Sequence, residues 1–163
     1  MNISPEELVA KGFLRGGTVY PDRTPLRCLN PGALREKWEG LFRTEITRDV
    51  QGYAVYLMVV DREVKKSGHA GKGKAGFKRR LPSEFSCLRK VIAGGLPYRG
   101  DFPWKHRVPV AMLAGTVVEL WVKKHEDVQL MQNEEDELNE YYRGEWAKQG
   151  WTKDRTRRPE WPR

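Results

Sequence analysis

Six side chains in this sequence have the types and placement to handle a phosphate ester or an attacking water. Glu135 is the most informative. Val128, Met131, Leu138, Tyr142 and Trp146 recur on one stripe at helical spacing, and Glu135 falls inside that stripe. A carboxylate on an apolar face is costly unless a cation or a metal satisfies it. A half-buried salt bridge and a metal ligand are both open readings. Tyr56 sits within an apolar run, and a buried phenol needs a hydrogen-bond partner. Lys66 and His69 bracket the end of the next short segment, and Arg79 and Arg80 begin the one after it. Together these supply donors and cations for an anion, with one carboxylate to balance them.

Three other constellations fail on their chemistry. Ser67 to Ala75, SGHAGKGKA, nearly spells a P-loop, but Ala75 stands where a magnesium-holding hydroxyl belongs, and the preceding VKKS is polar. No nucleotide cofactor is expected. Glu63-Val64-Lys65, with Asp49 upstream, has the composition of a metal-dependent nuclease site, but Glu63 falls in a turn. His69, His106 and His125 have no metal-ligand spacing, so each alone reads as an ordinary surface histidine.

The elements that must carry these residues are legible in outline. Ser4-Pro5-Glu6-Glu7 starts a short helix running to about residue 11, with Ser4 as cap and Glu7 closing a capping box. Residues 15–30, rich in Gly, Pro and Arg, read as loop. Asn30-Pro31 opens a helix to about Phe42. GYAVYLMVV (52–60) suits a strand buried on both faces. Asp61-Arg62-Glu63 is the expected turn, and VKKS (64–67) the returning strand. FKRRL begins a helix that Pro82 stops, and Ser83 to about Ala93 forms another. TVVELWVKK (116–124) is a strand, and Glu126 to about Arg143 a long helix. The expected fold is α/β: a small mixed sheet led by an antiparallel hairpin and flanked by helices. Residues 1–45 form a helical and loop extension, and 46–163 the main domain with a basic tail.

Charge is unevenly spread. The chain of 163 residues carries a net +8, but Asp61 to Arg107 holds 13 Lys/Arg against 4 Asp/Glu. Glu126 to Glu145 holds 8 acids and one Arg. A concentrated basic block is the footprint of a polyanion binder, here nucleic acid. No apolar run approaches the ~18 residues of a membrane span, and MNISPEELVAKGFL does not read as a signal peptide. Cys28 and Cys87 lack CxxC partners, which excludes a cysteine zinc site and suits free thiols in the cytoplasm.

These residues resemble the GIY-YIG nuclease superfamily. Ala54-Val55-Tyr56 looks like the first motif, and Lys66-Ser67-Gly68, ten residues on, stands at the second. Phe77-Lys78-Arg79-Arg80-Leu81 looks like the family's arginine-bearing helix start, and Glu135-Asp136-Glu137-Leu138 like its late helix. The similarity covers about residues 52–147. Lys66 replaces the second motif's tyrosine and the family's late Asn falls at Ala147. Lys followed three residues later by His is shared with one branch of type II restriction endonucleases in the superfamily.

The resemblance implies a sequence-specific endonuclease that hydrolyses double-stranded DNA with Mg²⁺ or another divalent metal. It makes Tyr56 the general base, Lys66 its activating cation, His69 a water or phosphate contact, and Glu135 the metal ligand. Arg80 holds the phosphate, with Arg79 in its place if the helix starts one residue differently. Lys72, Lys74, Arg89 and Lys90 are the expected phosphate contacts outside that set. A phage, mobile-element or repair endonuclease and a non-cleaving binder are the rival readings. Cleavage of a palindromic site favours a two-fold homodimer, with Trp38, Trp104, Trp151 and Trp161 as interface material.

Overall fold

The computed structural model describes residues 2–20, 43–48, 50–71, 76–77, 115–144 and 146. Their centre is the hairpin. Strand β3 (Tyr53–Val60) and strand β4 (Glu63–Ala70) pair antiparallel across a two-residue turn, in which Asp61 (φ 50°) and Arg62 (φ 66°) are both left-handed. The returning strand is longer than expected and begins earlier: Glu63 is its first residue, and Gly68 to Ala70 extend it beyond Ser67. Gly68 does not break the strand, because it makes room for a neighbour. A Cβ there would lie 2.4 Å from the Tyr56 hydroxyl, directly across the ladder. The first four residues of the P-loop-like stretch are therefore strand, which removes what remained of that reading.

Three more strands complete the sheet: β1 (Leu14–Tyr20), β2 (Arg43–Ile46) and β5 (Val118–His125), in the order β2-β1-β5-β3-β4. Every pairing is antiparallel, so the expected mixed sheet is corrected: β5 runs back against β3 rather than crossing over to lie parallel. Residues 15–20, expected as loop, lie in β1. Their Gly16-Gly17 pair is a close approach, since a Cβ on Gly17 would sit 2.3 Å from the Glu45 carbonyl. The N-terminal region is thus part of the sheet, and the boundary expected near residue 45 cuts through it.

Helix α1 (Pro5–Ala10) has its full capping box: Ser4 Oγ accepts from the Glu7 amide and the Ser4 amide donates to Glu7. Helix α2 (Val128–Tyr142) starts at Asp127, whose carboxylate accepts from the Leu130 amide, and stops at Arg143 in the left-handed region. Burial, with smaller contributions from Tyr141 and Glu7, pushes the Tyr142 phenol up. The two sheet faces are both covered. One buries Tyr56, Met58, Val60 and Val122 with Phe77 and Trp146. The other buries Val55, Leu57, Val59 and Trp121 against Leu8 and Phe13 and against Met131 and Leu138 of α2. β3 is shielded on both, as its unbroken apolar run expects.

Trp146 departs from the helical stripe. The helix ends at Arg143, the chain passes the rim of β4, and the Trp146 amide donates to the Lys65 carbonyl at 2.9 Å. Its ring is buried on the sheet face opposite α2. The helices expected at 32–42 and 83–93, both cysteines, Asp49, His106 and the four interface tryptophans lie outside the described residues.

Candidate functional site

Alternation along the strands sorts the candidate side chains. Tyr56 faces Gly68, and Met58 faces Lys66, which puts Tyr56 and Lys66 on the Phe77 side of the sheet. Val55 lies between His69 on β4 and Lys123 on β5, which puts those two on the α2 side. The structure therefore brings together Tyr56 with Lys66, and His69 with Glu135, but on opposite faces of one sheet.

On the Phe77 side, the Lys66 ammonium lies 5.8 Å from the centroid of the Tyr56 ring. The Phe77 ring is tilted against the other aromatic at 5.9 Å. Tyr56 is wholly shielded from bulk solvent. The expected cation is thus at its side, while its hydroxyl points at the backbone of Gly68.

On the α2 side, His69 Nδ1 donates to Glu135 Oε2 at 2.7 Å. An ionised carboxylate only accepts, so the proton is placed on Nδ1 and that imidazole is fixed in orientation. The acid in the apolar stripe has a half-buried hydrogen-bond partner, supplied from 66 residues away. One helix position earlier, Glu134 Oε1 takes the Lys123 ammonium at 2.6 Å, and its Oε2 takes Nε2 of His125. His125 is only 12% exposed, so it is no ordinary surface histidine. This second group was missed in the sequence. The available signal was that Lys123 and His125 alternate on one strand face, beside the edge of the α2 stripe where Glu134 projects.

Among the described residues no three His, Cys, Asp or Glu side chains gather as a metal cage. A divalent ion would rest on Glu135 alone, with water and phosphate oxygens filling its other positions, which suits magnesium. Glu135 fits such a role: it is a hard oxygen donor already oriented by a hydrogen bond from an imidazole. Glu63, by contrast, accepts from its own strand neighbour Lys65 at 2.6 Å, which holds its carboxyl below the usual range. Arg79, Arg80, Lys72, Lys74, Arg89 and Lys90 lie outside the described residues.

Ser67, across from Leu57 on β3, is buried, and among the described residues its hydroxyl has no partner. A buried unpaired hydroxyl costs free energy. Ser67→Ala is expected to raise stability by about 0.5–1 kcal/mol in urea denaturation. A loss of that size would show instead that the hydroxyl is bonded.

Set against protein-family models, curated proteins and solved structures, the chain matches none of them, so its function is read from these side chains.

Proposed function

We propose that this protein is an endonuclease that hydrolyses double-stranded DNA with a divalent metal, in the manner of the restriction branch of the GIY-YIG superfamily. The observation that carries the reading is the delivery of Glu135, by a helix following β5, onto His69 at the end of the hairpin's second strand. A divalent ion on Glu135 would offset charge on the phosphate and on the leaving oxygen. His69 holds that carboxylate in place and contacts the water or phosphate. Tyr56 and Lys66, expected as general base and activating cation, lie on the opposite face of the sheet with Tyr56 wholly shielded, so this reading gives them no step at the metal. Arg80, or Arg79, grips the phosphate bidentately. Palindromic DNA would be met by a two-fold dimer.

No helix among the described residues is long and apolar enough to cross a membrane. Supercoiled plasmid should be nicked and linearised with Mg²⁺ and left intact with a chelator, and sequencing the ends gives the cut position. Binding to duplex DNA should weaken steeply with salt, because the basic block from Asp61 to Arg107 releases counterions. A log-affinity slope near zero against log salt counts against nucleic acid.

A second reading is a nucleic-acid binder that does not cleave. The placement of Tyr56 and Glu135 on opposite faces of the sheet favours it, and an intact plasmid together with a steep salt slope would select it.

A further inference from the structure

We infer that Glu134 is a positioning residue for the Glu135–His69 pair, acting through Lys123 and His125. The inference rests on the nuclease reading for its catalytic meaning, but its geometry stands apart from it. His69, Val55 and Lys123 form one row across β4, β3 and β5 on the face that α2 covers. Adjacent strands are about 4.8 Å apart, so the row spans roughly 10 Å. Glu135 bonds one end of that row and Glu134 the other, so the two consecutive acids straddle β3.

Successive helix residues point about 100° apart. Rolling α2 to draw Glu135 off His69 therefore drags Glu134 against its two donors. The anchor is firm because both Glu134 oxygens are taken, by Lys123 and by His125. Lys123 is itself confined, with its ammonium 5.8 Å from the centroid of the Phe13 ring. Glu134 and its partners lie mostly out of solvent, where such bonds are worth more than at an exposed surface. The rotation of the helix, and with it the aim of the Glu135 carboxylate, is fixed by the neighbouring residue.

The test is Glu134→Gln, with Lys123→Met as a second variant that removes one anchor and keeps the apolar stem. In the full-length protein, the two ring nitrogens of His69 are followed by long-range proton–nitrogen NMR without metal or DNA. Both variants should move the Nδ1 signal away from its hydrogen-bonded position while the fold persists by melting. With Mg²⁺ and duplex DNA, kcat should fall roughly 10–100-fold at unchanged KM. In a Glu135→Gln background, Glu134→Gln should add no further loss. An unmoved His69 signal in both folded variants overturns the inference. If the wild-type protein cuts no DNA, the nuclease reading fails, and the NMR arm still decides whether Glu134 positions the pair.

Discussion

Replacing Gly71 with alanine is expected to lower the melting temperature by roughly 6–12 °C, the equivalent of about 3 kcal/mol in a chain of this size. Gly71 follows directly on Ala70, the last residue of β4. Its φ of +107° is one that side-chain-bearing residues rarely adopt. A Cβ there would lie 1.9 Å from the Gly52 carbonyl oxygen and 2.9 Å from the Cα of Tyr53. Both are backbone atoms, so no flexible side chain can yield, and the open ends of β3 and β4 would have to part. Gly52→Ala is the control. Its φ is +83°, but a Cβ there meets nothing within 4 Å, so only the conformational cost, about 1 kcal/mol, applies. Calorimetry of the two variants separates clash from backbone strain. Equal melting temperatures would show that the strand ends are not so closely packed.

Glu135→Gln is expected to reduce DNA cleavage at least ~100-fold, about 3 kcal/mol of barrier, while duplex affinity changes less than ~2-fold. The substitution keeps the shape of the side chain and leaves an amide oxygen that can accept from His69 Nδ1, so the helix need not move. What it removes is the negative charge a divalent ion would require. Under the proposed function, affinity is supplied by the basic block and not by an acid, so it should persist. Single-turnover cleavage and filter binding on the same samples give both numbers. Wild-type cutting by the variant would reject Glu135 as the metal ligand.

Much of the frame could be read from the chain because local physics decides it. The unbroken apolar run of β3, the capping box of α1 and the stripe of α2 are short-range patterns that tertiary contacts reinforce. β1 was hidden because Gly16-Gly17 carries a loop signal, whereas Gly17 is there for the approach of the Glu45 carbonyl and Gly16 for that of the Phe77 and Val122 side chains. The length of β4 was hidden for a similar reason, since the space Gly68 leaves for Tyr56 is a property of the pair. Trp146 fits the helical period but leaves the helix, because Arg143 ends it. At the site, an acid in an apolar stripe announced a missing partner without naming it. His69 and Glu135 meet only once α2 is laid on the sheet, and the same step gives Glu134 its two partners on β5.

The crossing from α2 to Trp146 bears on how copies of this chain keep apart. A strand at the rim of a sheet offers unpaired amides and carbonyls to any other strand, and extended sheets and fibres grow by that route. Here the turn-proximal half of β4 is already spoken for. Trp146 takes the Lys65 carbonyl, Ile3 takes that of Arg62, and Asn2 bridges to Glu63. Segments on either side of the sheet in sequence thus occupy the places an incoming strand would use. The chain acts as its own chain terminator, halting sheet growth at that rim while the helix that leads there carries Glu135.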